Sequence, residues 1–109
     1  MKEHNRYLLF IKECIDDIHT FVAEGKESFF TDKKTQYAVL RALQILAEST
    51  QRLPSELKDG YPDIDWRSIA GFRNVLVHDD FGINPVRIWD IVENDLPVLE
   101  QTIIVMINS

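Results

Sequence analysis

The spacing of apolar residues constrains the fold of this 109-residue chain more than any other feature of its sequence. Near the C-terminus, the apolar residues that recur at intervals of three and four are Trp89, Val92, Leu96, Leu99, Ile103 and Met106. Near the N-terminus, the same spacing links Leu8, Ile11, Ile15, Ile18 and Val22. Such spacing places apolar side chains on one face of an α-helix. No segment shows a strand pattern that competes with this helical spacing, so the sequence predicts an all-α fold.

Glycine, proline and capping residues set the helix boundaries in the first half of the chain. The first helix is predicted from Tyr7 to Val22, ending around Gly25. A loop, EGKESFFTD, then turns Phe29 and Phe30 inward, and Thr31 or Asp32 caps a second helix over about residues 32–53. Because nine of the eleven residues from Tyr37 to Ala47 are apolar, we expect this second helix to be nearly surrounded at the centre of the fold.

Two further helices are predicted in the second half. The segment LPSELKDGYPDI, with two prolines and a glycine, reads as a connecting loop. Asp65 then caps a third helix, WRSIAGFRNVLVHDD, which Gly82 closes. Asn84 and Pro85 begin a long fourth helix, and Pro97 inside it is expected to kink the helix because proline cannot donate a backbone hydrogen bond to the carbonyl of Glu93.

Together these elements predict one domain over residues 1–109, an antiparallel four-helix up-down bundle with a kinked long C-terminal helix. A second apolar stripe on the fourth helix exceeds what one bundle face needs, and it suggests a partner surface such as that of a homodimer. This stripe consists of Ile88, Ile91, Val98 and Val105.

Composition excludes several function classes. Twelve basic and 18 acidic residues give a net charge of −6, which argues against a broad basic footprint for duplex nucleic acid or anionic membrane but leaves room for a local phosphate site. The single cysteine, Cys14, permits neither an intramolecular disulfide nor a cysteine-based zinc site, so the cytoplasm is the expected compartment. No apolar run is long enough to span a membrane.

The densest group of chemically capable residues is Arg73, Asn74 and His78. A guanidinium group fits a phosphate and stabilises developing charge on it, and an imidazole transfers protons near neutral pH. Together they suffice for metal-independent RNA cleavage, in which a ribose 2′-hydroxyl attacks the adjacent phosphate. Asn74 would bind phosphate or orient the imidazole. The alternative is structural, with His78 at the negative end of the third helix and Arg73 paired with a carboxylate.

Other candidates favour structural roles. Glu48 is expected to partner Arg41, Arg52 or Arg73, and Cys14 to pack as a small hydrophobic residue. The remaining candidates are His4 and His19, interpreted as surface residues; Trp66 and Trp89, interpreted as core or interface anchors; and the pairs Asp16–Asp17 and Asp79–Asp80, whose adjacent side chains diverge on a helix.

The segment Arg73-Asn74-Val75-Leu76-Val77-His78 resembles the signature of the HEPN superfamily, in which an arginine and a polar residue precede a histidine. The resemblance extends further. The run DIDWRSIAGFRNVLVHDDFGIN with VRIWDIVENDLPVLE is similar to the C-terminal half of HepT-like toxins, and TDKKTQYAVLRALQILAEST is similar to their second helix. The resemblance covers roughly residues 4–105.

This resemblance implies an all-helical homodimer whose two arginines and two histidines line a shared cleft. It also implies a metal-independent ribonuclease toxin, neutralised by a minimal nucleotidyltransferase antitoxin, with RNA, plausibly tRNA, as the substrate and no cofactor. Carried over by position, Arg73 stabilises the scissile phosphate, Asn74 is the polar motif residue, and His78 is the general acid or base.

One position departs from the family pattern. HepT-like toxins usually have a tyrosine two residues after the histidine, and the partner enzyme transfers AMP to its hydroxyl group; here that position is Asp80. A carboxylate is not that acceptor, and its charge should weaken RNA binding nearby. The departure fits a natural variant of reduced activity, a natural variant controlled by complex formation, or an engineered substitution. It also motivates a second hypothesis, a catalytically silent HEPN module that docks the nucleotidyltransferase. A third hypothesis is a purely structural dimer that uses Ile88, Ile91 and Val98.

Overall fold

The computed structural model describes residues 4–72 and 83–109. Within them, the fold is helical, with no strand, and the all-α prediction is confirmed. The elements in chain order are α1 (His4–Phe21), α2 (Lys26–Thr31), α3 (Lys33–Gln51), α4 (Ser55–Asp59), α5 (Trp66–Ala70), α6 (Pro85–Asp90), a π-helical turn (Ile91–Asp95) and α7 (Leu96–Asn108).

The core lies between α1, α3 and the C-terminal helical segments, which pack against one another. Its largest fully buried side chains come from α1, α2, α3, α6, α7 and the π-helical turn. They are Leu8, Ile11, Ile15, Ile18, Phe29, Leu43, Leu46, Ile88, Ile91, Leu96 and Leu99. The helical periodicity of the sequence therefore identified the core positions of α1 and α7.

Three predicted helix caps are confirmed by their hydrogen bonds. The Asp32 carboxylate accepts from the backbone N–H of Lys34 at the start of α3. The Asp65 carboxylate accepts from the N–H of Ser68 at the start of α5, and the Asn84 side-chain oxygen accepts from the N–H of Arg87 at the start of α6. Each cap satisfies a backbone donor that the first helical turn leaves without a partner.

Two predicted loops contain short helices. In EGKESFFTD, residues Lys26–Thr31 form α2, and in LPSELKDGYPDI, residues Ser55–Asp59 form α4. One or two turns are too short to display apolar periodicity, so tertiary contacts decide their conformation. Phe29 turns inward as predicted and is 1% exposed. Gln36 is buried beside it and donates its side-chain amide to the Phe29 carbonyl at 2.9 Å, which joins α2 to α3.

The second helix is less enclosed than expected. The buried face of α3 is broad, but Tyr37 is 53% exposed and Arg41 is exposed as well. Apolar composition alone predicted a surrounded helix, and this prediction is wrong because Tyr37 lies on the outward side although its ring is largely apolar.

The C-terminal helix is disturbed where Pro97 predicts it. The Leu96 N–H donates to the carbonyl of Ile91, five residues earlier, which widens Ile91–Asp95 into a π-helical turn before α7 begins. A proline ring collides with the carbonyl four residues before it, and a wider turn relieves that collision.

The sequence predicted that the second apolar stripe is a partner surface, and this prediction is wrong for two of its four residues. Ile88 and Ile91 are 0% exposed and belong to the core, whereas Val98 and Val105 are 52% and 54% exposed. The π-helical turn begins at Ile91 and ends before Val98, and its wider geometry rotates Val98 and Val105 relative to Ile88 and Ile91, so a regular 3.6-residue period no longer relates the two pairs.

Candidate functional site

The predicted motif residues Arg73, Asn74 and His78 lie outside the described residues, as do Asp79, Asp80 and Gly82. The structure does describe the segments on both sides of them. The candidate site is therefore built from what holds the two ends of residues 73–82.

The segment that precedes Arg73 is anchored in the core. Ile64, Ile69 and Phe72 are all buried, at 6%, 5% and 3% exposure. The Asp65 carboxylate accepts hydrogen bonds from both the backbone N–H and the hydroxyl of Ser68, and these bonds hold the pKa of Asp65 below its usual value. α5 packs on α3, so the chain reaches Arg73 from a fixed position beside the central helix.

Gly71 ends α5, so the predicted helix over WRSIAGFRNVLVHDD is interrupted within its first seven residues. Its backbone N–H donates to the Arg67 carbonyl at 3.0 Å. A Cβ atom at Gly71 would lie 3.3 Å from the Ser68 carbonyl oxygen, slightly closer than an ordinary van der Waals contact. Glycine therefore suits the turn that leads into Phe72.

The segment that follows residue 82 is also fixed. Ile83 packs partly buried against the core, Asn84 caps α6, and Ile88 is fully buried. α6 contacts α3, as α5 does. Both ends of residues 73–82 are consequently held on the same central helix.

Trp66 and Trp89, predicted as anchors, flank the motif in sequence. The indole N–H of Trp66 donates to the carbonyls of Lys58 and Tyr61, both at 3.2 Å, which ties α5 to the residues around α4. The Trp89 ring lies 5.2 Å from the Phe29 ring, centroid to centroid, and its N–H donates to Glu93. Both are partly buried and pack against the core, and the anchoring prediction is confirmed for both.

Two cavities with opposite charge lie near these elements. One, of about 350 Å³, is lined by Phe72 and by three carboxylates, Asp63, Asp65 and Asp95. Burial raises the pKa of Asp95, and the nearby charge of Asp90 raises it further. In the part of the chain that the structure describes, no group of three or more His, Cys, Asp or Glu residues has an arrangement that could hold a metal ion.

The second cavity, of about 410 Å³, lies between the first half of α1 and the last turns of α3. Arg6, Tyr7 and Phe10 line it from α1, Glu48 lines it from α3, and Arg52 lines it from the C-cap of α3. Sequence reasoning missed this basic and aromatic groove because its residues lie far apart in the chain. The role expected for Glu48 as a partner of Arg41, Arg52 or Arg73 stays a prediction.

The remaining candidates from the sequence have structural surroundings. His19 was expected to be a surface residue without a specific contact. Instead it joins α1 to α7, since its Nε2 atom lies 2.8 Å from Glu100 Oε1. Lys12 pairs with Asp16 and also reaches Glu100 at 3.6 Å. Cys14 is 5% exposed, and burial together with nearby acidic residues raises the pKa of its thiol to about 11. Its interpretation as a small core residue is confirmed.

These features define a class of protein: a small helical bundle whose Arg-Asn-x3-His segment is bounded by core-anchored residues on both sides. Residues 11–106 match the family described as "Ribonuclease HepT-like". The chain belongs to the HepT-like family, and the resemblance stated from the sequence is confirmed.

Named relatives agree with this assignment. The chain is 40% identical, over 91% of its own length and 91% of the relative's, to a Thermococcus cleftensis protein named "Probable ribonuclease HepT". It is 39% identical to a protein of Methanocaldococcus jannaschii, over 88% of this chain and 80% of that one. It is 33% identical to a protein of Caldanaerobacter subterraneus subsp. tengcongensis, over 94% and 93%. The names of these two designate proposed RNases. No solved structure gives a significant match. Among the described residues, no helix is long and apolar enough to cross a membrane.

Proposed function

We propose that this chain is a metal-independent endoribonuclease and the toxin component of a toxin-antitoxin system. The observation that carries the proposal is membership of the ribonuclease HepT-like family over residues 11–106, a span that includes Arg73, Asn74 and His78. The antitoxin is a minimal nucleotidyltransferase, and the substrate is RNA, with tRNA as the class to test first. We further propose that residues 1–109 form one domain that acts in the cytoplasm.

In the proposed reaction, the ribose 2′-oxygen attacks the adjacent phosphorus. A general base removes the 2′-hydroxyl proton, and a general acid protonates the departing 5′-oxygen, which leaves a cyclic phosphate on one product and a 5′-hydroxyl on the other. His78 is the proton-transferring group, Arg73 stabilises charge on the phosphoryl oxygens, and Asn74 orients the phosphate or the imidazole.

We propose that two copies of the chain form a homodimer, so that Arg73 and His78 of both protomers line one cleft. A cleft with two copies of Arg73 would concentrate positive potential in a protein whose net charge is −6. Anchoring of both flanks of residues 73–82 on α3 supports this arrangement, because a fixed frame on each protomer would hold the motif in a reproducible position.

Asp80 favours a second candidate function, a catalytically silent module that binds the nucleotidyltransferase. The carboxylate stands where the family usually has the tyrosine that receives AMP, and it would repel RNA phosphate. The silent module predicts a tight complex with the nucleotidyltransferase and no cleavage above that of a His78 variant.

The test is cleavage of total tRNA in the presence of EDTA by the unaltered chain, His78→Ala and Asp80→Tyr, each checked for folding by circular dichroism. We expect cleavage by the unaltered chain and its loss in His78→Ala. Cleavage that persists in His78→Ala, or that EDTA abolishes, would refute the mechanism. Cleavage by Asp80→Tyr alone would mean that Asp80 inactivates a catalytic site that is otherwise intact. Absence of cleavage by all three proteins would favour the catalytically silent module that binds the nucleotidyltransferase.

A further inference from the structure

The groove between α1 and α3 combines positive charge with aromatic surface. Arg6 and Arg52 both line it, and both side chains are exposed. Tyr7 and Phe10 line it as well, with Tyr7 partly buried against the core and Phe10 42% exposed. Among the described residues that line it, two guanidinium groups and one carboxylate, that of Glu48, carry charge, and their sum is positive.

An adjoining cavity of about 360 Å³ extends the same surface around Tyr7. Its lining consists of Tyr7, Arg52, His4 and Pro54. Tyr7 and Arg52 are common to both cavities, which otherwise include Arg6 in one lining and His4 in the other. The two cavities together therefore combine three nitrogen-containing side chains, those of Arg6, Arg52 and His4, with the partly buried Tyr7 ring.

Arg6 and Arg52 are available to an external anion. Among residues 4–72 and 83–109, the ion pairs engage Lys12, His19 and Arg87, and neither Arg6 nor Arg52 takes part in one. Two exposed guanidinium groups therefore line one cavity, and in the part of the chain that the structure describes their N–H donors are not engaged in an ion pair.

We propose that this groove, formed by Arg6, Tyr7 and Arg52, binds single-stranded RNA, the proposed substrate. Guanidinium groups bind phosphates through paired N–H donors, and an exposed aromatic ring stacks on a base of any sequence. The groove holds the RNA strand and does not take part in the bond-breaking step. This inference rests on the proposed ribonuclease function.

The position of the groove relative to the chain path supports this assignment. Arg52 is the C-cap of α3, and the chain continues from it through α4 and α5 to Phe72, immediately before Arg73. α5 packs on α3, so the groove and the segment leading to the motif share one helix. Arg6, Tyr7 and Phe10 precede residue 11, where the family match begins, so three of the groove residues lie outside the matched segment.

The test measures RNA binding separately from RNA cleavage. The probe is a fluorescein-labelled 2′-O-methyl RNA of about 12 nucleotides, a length within the usual range for single-strand sites. Methylation removes the attacking hydroxyl group, so the proposed reaction cannot consume the probe. Fluorescence anisotropy gives the dissociation constant of the full chain at several salt concentrations.

We expect the double variant Arg6→Gln/Arg52→Gln to bind the probe about 25-fold more weakly at ~0.1 M salt, because each lost phosphate contact on a single strand removes about 0.7 from the salt slope. The slope of log K against log salt should fall by about 1.4. Arg6→Lys/Arg52→Lys should keep most of the slope, since the charges remain. Tyr7→Leu should weaken binding at least ~5-fold, whereas Tyr7→Phe, which keeps the ring, should not.

The matched control is Lys33→Gln/Lys34→Gln. It makes the same change in net charge at the opposite end of α3, about 27 Å from Arg52 along the helix axis. We expect it to leave the affinity and slope nearly unchanged. Equal losses in the two double variants would mean that only net charge matters, and they would overturn the inference.

Cleavage kinetics separate failure of this inference from failure of the proposed function. If the unaltered chain cleaves tRNA, Arg6→Gln/Arg52→Gln should raise KM and leave kcat nearly constant, because the groove holds substrate and transition state equally. Cleavage combined with unchanged binding and KM in that variant would refute the groove and leave the ribonuclease intact. Binding that depends on the groove without any cleavage would support the groove and refute the catalytic proposal. An unaltered chain that neither binds nor cleaves RNA would refute both.

Discussion

Phe29→Ala should cause the largest loss of stability of any single side-chain truncation in α2. The Phe29 side chain is 1% exposed, and its ring lies 5.3 Å from that of Phe30 and 5.2 Å from that of Trp89. A buried phenylalanine removes at least ~150 Å² from water, which at about 25 cal/mol per Å² amounts to roughly 4 kcal/mol. Measured truncations of buried phenylalanine cost a similar amount, about 3–5 kcal/mol.

The assay is urea unfolding followed by circular dichroism. With an m-value of about 2 kcal/mol per M, a loss of ~4 kcal/mol moves the midpoint down by about 2 M. Since a small domain has a total stability of only about 5–15 kcal/mol, the variant should be close to its limit of folding. Measurements at several protein concentrations are needed, because association of the folded chain would add to its stability.

Phe21→Ala is the matched control, because it removes the same ring from a side chain that is 40% exposed. We expect it to shift the free energy of unfolding by no more than ~0.5 kcal/mol, as is usual for surface substitutions. Equal midpoint shifts for Phe29→Ala and Phe21→Ala would refute the packing of Phe29 between Phe30 and Trp89.

Three further predictions concern single groups. Cys14, with a thiol pKa of about 11, should react with a thiol reagent at pH 8 far more slowly in the folded chain than in urea. Because the unfolded thiol ionises near its ordinary pKa of 9 while the folded thiol stays protonated, the free energy of unfolding should fall as the pH rises from about 9 to 11. Cys14→Ala should remove this pH dependence, and its persistence in that variant would contradict the assignment to Cys14. Asn84→Ala should lower the free energy of unfolding by about 1 kcal/mol in urea, whereas Asn84→Asp should retain the cap, so equal losses would rule out capping of the Arg87 N–H. Asp95→Asn should raise the urea midpoint at pH 7, because desolvation and the charge of Asp90 disfavour its ionised form; the gain should vanish at pH 3, and a gain of the same size at both pH values would contradict this cause.

Local signals in the sequence predicted the parts of the fold that depend on neighbouring residues. The caps at Asp32, Asp65 and Asn84 each depend on a hydrogen bond to a residue two or three positions later, so the sequence contains both partners. The core faces of α1 and α7 followed from apolar periodicity in the same way.

Features that depend on distant residues could not be predicted. Ile88 and Ile91 formed an apparent second stripe, and only the π-helical turn beside them shows that they belong to the core. The hydrogen bond between His19 and Glu100 joins the first and last helices of the described chain, and nothing near His19 in the sequence indicates it. The motif Arg73–His78 could be recognised from the sequence alone. The groove around Tyr7 could be recognised only from the structure, because it forms where the start of α1 lies beside the end of α3.

The charge distribution indicates from which side RNA would approach this acidic chain. The cavity beside Phe72 is lined by Asp63, Asp65 and Asp95, and their combined charge opposes a phosphate there. The groove with Arg6 and Arg52 lies between α1 and α3, and the charged residues described in its lining sum to a positive value. Beyond Ile83, Arg87 is the only basic residue, and it is paired with Asp90. Under the proposed function, an RNA strand would therefore meet attraction along the groove between α1 and α3 and repulsion along the C-terminal helix, so a local positive groove would offset the net charge of −6.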